Sequence, residues 1–324
     1  MEETRDKLFL GVDGGQSHTE AIIADENGVI LGRGLGGASN HAEIPGGRKR
    51  LEKAVKDSVG EALKKANLPP INKTVFASAH CGMTGGADYK REIIGAVINT
   101  ENLIVGHDAP TALFGATAGK PGIVVISGTG SVVYGENPDG ETAQIGGLGF
   151  LFSDEGSGFW LAAQVIRFAI KEQDGLMENS GLQKLVSNFF KVIKIREITD
   201  AFYNGKISRD EIAGLAKIAA ESGNKVVREQ LLNGANILAE SVAGAARKLN
   251  FCGSFPISGV GGMFRGKLMQ KFFVESLNAN VPNAIFTEPR FTPPIGALLL
   301  AYKQHKIAVN EKLLLNLELS QKEK

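Results

Sequence analysis

Residues 11–19 read Gly-Val-Asp-Gly-Gly-Gln-Ser-His-Thr and lie between two apolar runs, at 8–10 and 21–24. This pattern is typical of a strand that ends in a carboxylate, turns through two glycines and continues as a second strand. Glycines in such a turn let backbone N–H groups approach a phosphate closely. A plain tight hairpin is the competing interpretation, because Asp-Gly-Gly turns between apolar runs are common. The glycine patterns of P-loops and of dinucleotide-binding loops are missing from residues 11–19.

Composition and charge limit the classes to which the protein can belong. The chain has 324 residues, of which 43% are hydrophobic and 22% are charged, which favours two domains over one large core. Its formal net charge of +1 gives no reason to expect a nucleic-acid or membrane partner. The chain has no signal-peptide pattern and no apolar run of about 20 residues. We therefore expect a cytoplasmic protein, with Cys81 and Cys252 as reduced, unpaired thiols.

Strands and helices alternate along the chain, and the order then restarts. The first part predicts three short strands up to residue 31, a helix at 47–66, a strand at 74–77, a helix at 87–99 and a strand at 103–106. Another strand at 123–126 then leads into Ser-Gly-Thr-Gly-Ser at 127–131, a further strand and an Asn-Pro-Asp-Gly turn. This repetition indicates an internal duplication. Two similar domains that face each other would leave a cleft between two phosphate-binding hairpins.

Seven segments together carry a resemblance to a known family. The two glycine turns and the segment Ile-Ser-Gly-Val-Gly-Gly-Met-Phe at 257–264 resemble the phosphate 1, phosphate 2 and adenosine motifs of the superfamily that contains actin, heat-shock ATPases and sugar kinases. Within it, the chain is similar to the N-acetylglucosamine kinase branch of the BadF/BadG/BcrA/BcrD ATPase family. The further segments that carry this similarity are Ala38–His41, Gly106–Ala109, Gly146–Gly149 and Ser153–Trp160. The resemblance covers residues 8–305.

The resemblance implies an α/β fold of the duplicated ribonuclease H-like (actin-like ATPase) type. Each of its two domains is expected to contain a mixed β-sheet flanked by helices, with the active site in the interdomain cleft. We place an N-terminal domain at 1–117 and a larger C-terminal domain, with a helical insertion, at 118–306. Kinases of this kind are often dimers, and we expect the tail at 307–324 to pack on the N-terminal domain or to take part in a dimer contact.

The implied activity is transfer of the γ-phosphate of ATP to the 6-hydroxyl of an amino sugar, with N-acetylglucosamine as the first expectation. Glucosamine, N-acetylmuramic acid and glucose stay open. Asp108 follows a predicted strand and opens a predicted helix, so its carboxylate emerges where open α/β sheets hold ligands. The resemblance makes Asp108 the general base, although a simple helix cap is the alternative. Asp13 is expected to hold Mg²⁺ through water, with a turn-stabilising role as its alternative.

The resemblance also assigns binding residues. The sugar is expected to contact Asp108 and the set Asn40, His41, Thr84, Gly146, Gly147 and Asp154. A surface or capping role for His41 and a plain loop hydroxyl for Thr84 are equally compatible with the sequence. The nucleotide is expected to contact Asp13, Gly14, Gly15, Gln16, Ser17, Thr19, Gly128, Thr129, Gly130, Ala213, Gly214, Gly261 and Gly262.

Two other classes of protein compete with a kinase. An activating ATPase of a dehydratase holds an iron–sulfur cluster through several cysteine thiolates, and the isolated Cys81 and Cys252 argue against that class. A sugar-responsive regulator would need a DNA-binding segment or the loss of the base, whereas Asp108 is present and no helix-turn-helix pattern precedes Leu8.

Overall fold

The structure, a computed structural model, describes residues 7–15, 18–39, 45–85 and 88–322. The strands in these ranges are β1 (Phe9–Gly14), β2 (Thr19–Ala24), β3 (Ile30–Gly36), β4 (Ser78–Met83), β5 (Leu103–Gly106), β6 (Gly122–Ser127), β7 (Ser131–Glu136), β8 (Thr142–Gly146), β9 (Phe255–Val260) and β10 (Ala284–Phe286). The helices are α1 (Gly47–Lys65), α2 (Asp88–Gly95), α3 (Asp108–Thr117), α4 (Gly158–Gln173), α5 (Leu182–Phe190), α6 (Arg196–Tyr203), α7 (Arg209–Glu221), α8 (Lys225–Lys248), α9 (Lys267–Asn280), α10 (Pro293–Gln304) and α11 (Glu311–Lys322). None of these helices combines the length and the apolar character needed to cross a membrane.

The described residues of 1–120 and 289–324 form one compact unit, called unit 1. Its sheet has the order β3-β2-β1-β4-β5, in which β1 is antiparallel to β2 and parallel to β4. Helix α1 covers β2 and β3. Its buried side is an apolar stripe, whereas basic residues on the other faces are exposed, because a helix repeats its faces every 3.6 residues. The buried stripe contains Leu51, Val55, Val59, Ala62 and Leu63.

The second compact unit, called unit 2, contains residues 121–288. Its sheet has the order β8-β7-β6-β9-β10, again with an antiparallel meander followed by two parallel strands. The sheets of the two units therefore share one topology, which confirms the predicted duplicated α/β fold. Unit 2 has five helices, α4–α8, between β8 and β9, where unit 1 has α1 between β3 and β4.

One predicted strand was misplaced. The segment at 74–77 contributes only an isolated bridge between Phe76 and Thr100, whereas β4 follows it at Ser78–Met83. The sequence of β4, Ser-Ala-His-Cys-Gly-Met, contains few residues that favour strands. All six are nevertheless buried between the parallel neighbours β1 and β5. Tertiary pairing therefore outweighs local propensity here.

The predicted domain boundaries and one predicted helix also differ from the structure. Residues 289–306 were assigned to the C-terminal domain, but they belong to unit 1, because α10 packs on β1 and α3. Helix α2 ends at Gly95 instead of near residue 99. Its predicted first residue, Ala87, lies outside the described residues.

The C-terminal tail is tied to unit 1 by polar contacts. The Tyr302 hydroxyl of α10 donates to the carbonyl of Asp25 at 2.6 Å. In α11, the Asn316 amide donates to the carbonyl of Asn27 at 2.9 Å. Arg290 also donates from Nε to Glu318 of α11 at 2.7 Å. The Tyr302 contact joins α10 to the β2–β3 turn, and the other two join α11 to the same turn and to the segment that precedes α10.

Helix α10 approaches α3 so closely that Gly296 has no room for a side chain. A Cβ at this position would overlap the carbonyl oxygen of Thr111 and the backbone nitrogen of Gly115. We expect Gly296→Ala to lower the free energy of unfolding by about 1–3 kcal/mol, because backbone atoms must move apart. Thermal and urea unfolding measure this change.

Gly60, within α1, is the matched control. No heavy atom outside its own helix turn lies within 4 Å of the position that a Cβ would take. Gly60→Ala is expected to raise the free energy of unfolding by about 0.5–1 kcal/mol through helix propensity alone. Equal effects of the two substitutions would contradict the packing that is described for α10.

Candidate active site

The β1–β2 hairpin of unit 1 carries Asp13 and the two glycines that follow it. The Gly15 amide donates to the carbonyl of His18 at 3.0 Å, and the Ser39 amide donates to the carbonyl of Gly15 at 3.2 Å. A Cβ at Gly14 would overlap the side chains of Met83 and Ser39, which would have to move to admit one. The predicted phosphate contacts Gln16 and Ser17 lie outside the described residues.

Asp108 opens α3 directly after β5, as the sequence predicts. The Thr111 hydroxyl, one turn further along α3, lies 2.6 Å from the carbonyl oxygen of Asp108 and 3.2 Å from Oδ1 of Asp13. A threonine hydroxyl has one proton, so the two acceptors share it. Thr111 therefore joins the end of β1 to the first turn of α3.

Thr84 holds the Asp108 carboxylate from the other side. Its hydroxyl donates to Oδ2 of Asp108 at 2.7 Å, and its amide donates to the carbonyl of Gly14 at 3.0 Å. Lys90 Nζ donates to the carbonyl of Thr84. The segment after β4 is thus bonded both to the glycine hairpin and to the proposed base, which gives Thr84 more than a plain loop role.

The electrostatic environment of Asp13 favours its protonated form. Burial first, and then the negative charges of Asp108 and Glu20, together raise the pKa of Asp13 to about 7, against the lowering effect of the hydrogen bond from Thr111. Glu20 lies opposite Asp13 on β2 and pairs with Arg33 at 3.6 Å. A cation beside Asp13 would relieve this repulsion, and carboxylates are ligands that Mg²⁺ prefers. Asp13 is therefore a residue that could hold a metal ion.

Three further predicted site residues of unit 1 are Thr19, Asn40 and His41. Thr19 is completely buried, and its hydroxyl donates to the carbonyl of Gly37 at 2.9 Å. Its only proton thus supports the fold of the hairpin, so Thr19 is not included among the ligand contacts proposed below. Asn40 and His41, the predicted sugar contacts, lie outside the described residues.

In unit 2, the turn at Gly128–Gly130 is bonded to the loop before α4. The Gly158 and Phe159 amides donate to the carbonyls of Gly128 and Thr129, at 2.8 Å and 3.2 Å. Serine hydroxyls on both sides of the turn add two hydrogen bonds to backbone carbonyls. The Ser127 hydroxyl donates to the carbonyl of Gly156 at 2.8 Å, and the Ser131 hydroxyl donates to that of Glu155 at 2.7 Å. The glycine turn and the 154–159 loop therefore form one hydrogen-bonded structure.

The other predicted nucleotide residues of unit 2 lie around the same turn. Gly261 has a φ of 102° and touches the backbone of Ser127, so that a side chain there would collide with it. A Cβ at Gly158 would lie 3.1 Å from the Gly128 carbonyl oxygen and 3.7 Å from that of Ala213. Gly214 follows Ala213 in α7, and Gly262 begins the short 3-10 helix at 263–265.

Asp154, a predicted sugar contact, is buried beside the same turn and paired with an arginine that sequence reasoning missed. Nη2 of Arg209 lies 2.6 Å from Oδ2 of Asp154. A Cβ at Gly130 would come within 2.7 Å of both groups. Gly146 pairs with Val132 at the end of β8, and Gly147 follows it. Arg209 lies 55 positions from Asp154, and no local pattern marks it.

A surface cavity of about 440 Å³ lies elsewhere in unit 2. Arg247, Phe251, Cys252 and Asn280 are among its lining residues, and none of the predicted site residues is among them. It adjoins the amino end of β9, whereas Gly261 follows the carboxyl end. The predicted residues therefore do not belong to this cavity.

The chain matches the family described as "BadF/BadG/BcrA/BcrD ATPase family" over residues 10–301. It belongs to this family, and membership of an ATPase family implies that it uses ATP. The family match fits the two sheets of shared topology and the glycine turns at their strand ends.

Two curated relatives are similar over almost their whole length. An N-acetyl-D-glucosamine kinase of Dictyostelium discoideum is 26% identical over 93% of this chain and 99% of its own. An N-acetylmuramic acid/N-acetylglucosamine kinase of Clostridium acetobutylicum is 28% identical over 91% and 98%. A crystal structure of a candidate N-acetylglucosamine kinase from Chromobacterium violaceum superposes with a TM-score of 0.74 at 25% identity, over 91% of this chain and 99% of that one.

The raised pKa of Asp13 predicts a pH-dependent stability of the protein without ligands. Its ordinary pKa is 3.8, so between about pH 4 and 7 the folded chain binds more protons than the unfolded chain. The free energy of unfolding should therefore fall as the pH rises through this window and then level off. The loss is at most about 4 kcal/mol.

Asp13→Asn should remove this part of the pH dependence, because the amide does not titrate. Urea unfolding at pH 5, 6, 7 and 8 measures the difference between the two proteins. Asp139→Asn, in an exposed turn, is the control that should keep the wild-type profile. A wild-type and an Asp13→Asn profile of the same shape would show that Asp13 titrates normally.

Proposed function

We propose that the protein is an ATP-dependent kinase that phosphorylates the 6-hydroxyl of an amino sugar, with N-acetylglucosamine as its first substrate candidate. The observation that carries the proposal is the oriented carboxylate of Asp108, which accepts a hydrogen bond from Thr84 and lies at the carboxyl end of β5. Both relatives are named as N-acetylglucosamine kinases, which supports an amino sugar as the substrate. Specificity among N-acetylglucosamine, glucosamine, N-acetylmuramic acid and glucose is part of the proposal's test.

Asp108 is the proposed general base. Phosphoryl transfer proceeds through a loose transition state, so catalysis consists mainly of positioning and of charge stabilisation. As the bond between the sugar oxygen and phosphorus forms, Asp108 accepts the hydroxyl proton, and the bond from the γ-phosphorus to the leaving oxygen of ADP breaks. The hydrogen bond from Thr84 fixes the direction of the carboxylate, which supports this role.

Asp13 is the proposed carboxylate for magnesium, through a water molecule. When bound, the ion would neutralise charge on the transferred phosphoryl group. Magnesium takes few protein carboxylates and keeps several waters, which fits a hairpin with one aspartate at its end. The raised pKa of Asp13 supports the proposal, since a cation would favour the ionised form that this environment now disfavours.

Unit 2 is proposed to supply nucleotide contacts through backbone groups. The Gly128 amide donates to the Gly130 carbonyl, so the other N–H groups of the turn at 128–130 are the ones proposed for phosphate. Gly261 and Gly262 are proposed to contact the adenosine, and at Gly262 no heavy atom lies within 4 Å of the position that a Cβ would take. Ala213 and Gly214 are further proposed nucleotide contacts on α7. For the sugar, the proposed contacts in unit 2 are Gly146, Gly147 and Asp154, and in unit 1 Asn40, His41 and Thr84.

Sugar-stimulated ATP consumption tests the proposal. Wild-type protein is assayed with Mg²⁺, ATP and each of the four sugars, and the phosphorylated position is assigned by phosphorus and carbon NMR. Asp108→Asn keeps the shape of the side chain but removes its basicity, so we expect turnover to fall about 10²- to 10⁴-fold. Asp139→Asn is the charge-matched control and should retain wild-type turnover. The proposal would be contradicted if no sugar stimulated ATP consumption, or if the Asp108→Asn variant were as fast as the wild type.

Thr84 is expected to affect the rate through the orientation of Asp108. Thr84→Val keeps the shape but deletes the 2.7 Å hydrogen bond, so we expect kcat to fall about tenfold, the value of one hydrogen bond to a charged group. Thr84→Ser keeps the hydroxyl and is expected to retain most of the rate. Steady-state kinetics of both variants give the comparison, and equal rates for valine and serine would remove Thr84 from the mechanism.

A further inference from the structure

Arg209 begins α7 in unit 2, and its position is fixed by the helix cap. The Ser208 hydroxyl accepts a hydrogen bond from the Glu211 amide, and the Glu211 carboxylate accepts one from the Ser208 amide. This reciprocal capping box holds the first turn of the helix. The guanidinium of Arg209 then reaches Asp154 in the loop before α4, where Nη2 and Oδ2 are 2.6 Å apart.

Two aromatic rings hold the guanidinium in place. Its central carbon lies 5.4 Å from the ring centre of Phe150 and 5.8 Å from that of Phe159. The two rings are themselves 4.9 Å apart in an edge contact. Arginine suits such a site better than lysine, because its planar guanidinium can stack on rings and pair with a carboxylate together. Its Nε is buried and makes no hydrogen bond to any described residue.

Asp154 depends on this pairing more than an ordinary surface aspartate would. Its side chain is 6% exposed, so without a cation the carboxylate would be buried and unpaired. Its φ of 64° lies in the left-handed region, which few residues other than glycine adopt, although aspartate does so more readily than most. Such a backbone persists only where the surroundings hold it. The ion pair with Arg209 is a contact of this kind.

Arg209 also contacts a loop that exposes apolar side chains. Phe150 is 42% exposed, whereas its neighbours Leu148, Leu151 and Phe152 are 79%, 72% and 84% exposed. The Arg209 guanidinium therefore packs against Phe150, the least exposed of these four residues, and links it to Asp154. This places one arginine between the predicted sugar segment at 146–154 and the glycine turn, where a Cβ at Gly130 would lie 2.6 Å from Nη2.

We propose that Arg209 is a positioning residue that fixes the Asp154 carboxylate and the 146–154 segment for sugar binding. This inference rests on the proposed function, because it concerns the sugar site of the kinase. Arg209 acts through Asp154 and not on the phosphates. Its loss should therefore weaken the binding of the sugar more than that of ATP.

The test compares the KM values for sugar and for ATP among Arg209→Gln, Arg209→Lys, Asp154→Asn and the double variant Asp154→Asn with Arg209→Gln. We expect Arg209→Gln to raise the sugar KM about tenfold or more, as for the loss of one hydrogen bond to a charged group, with the ATP KM within about twofold. Arg209→Lys, which keeps the charge, should restore part of the sugar affinity. The double variant should resemble Asp154→Asn, because both residues act as one unit. Arg228→Gln is the control, since Arg228 is exposed and stacks on Phe272.

Amide hydrogen exchange gives a second readout that does not depend on turnover. Arg209→Gln should exchange faster at residues 150–158, and Arg228→Gln should match the wild type there. A raised ATP KM with an unchanged sugar KM would instead assign Arg209 to the phosphates and overturn the inference. Faster exchange with both KM values unchanged, or unchanged exchange, would overturn it as well. If no sugar stimulates ATP consumption by the wild-type protein, the proposed kinase function itself is contradicted. That outcome is distinct from those that contradict only the role of Arg209.

Discussion

The arrangement of the two aspartates of unit 1 depends on the close approach of α3 to β4 and α10 around Thr111. A Cβ at Gly82 would overlap the side chain of Thr111, and a Cβ at Gly296 would overlap its carbonyl oxygen. Because both neighbours are glycines, the Thr111 hydroxyl can lie between Asp13 and the carbonyl of Asp108. A larger residue at position 82 or 296 would move α3, and with it the carboxylate that α3 carries. Backbone packing therefore controls the spacing of the charges.

The sequence predicts the fold well wherever the signal is local. The glycine turns, the repeated order of strands and the helix at 47–66 depend on residues close together in the chain, and the structure bears them out. Strand β4 is the exception, because its residues favour no strand by themselves and are held by partners on both sides. The boundary near residue 289 was missed for a related reason. Helix α10 is apolar and buried over most of its length, and this composition does not indicate which sheet the helix covers.

The distinction between local signals and contacts between distant segments also applies to the candidate active site. The sequence marks Asp13 and Asp108 because each stands at the end of an apolar strand, where a carboxylate is conspicuous. It gives no signal for the partner of Thr84 or for Arg209, because both contacts join segments that are distant in the chain. Thr19 differs in the other direction, since its hydroxyl lies near a glycine hairpin and was expected to bind phosphate, whereas in the structure it donates to the carbonyl of Gly37. Strand order must be known before such hydroxyls can be assigned.

The two units share a topology but differ in the chemistry of their glycine turns. In unit 1 the turn follows a carboxylate whose pKa is raised, so its charge responds to pH and to cations. In unit 2 the turn is held by serine hydroxyls and backbone amides, which do not titrate near neutral pH. The charges beside it, those of Asp154 and Arg209, largely cancel as an ion pair. The topology therefore fixes where each turn lies but not which side chains it carries.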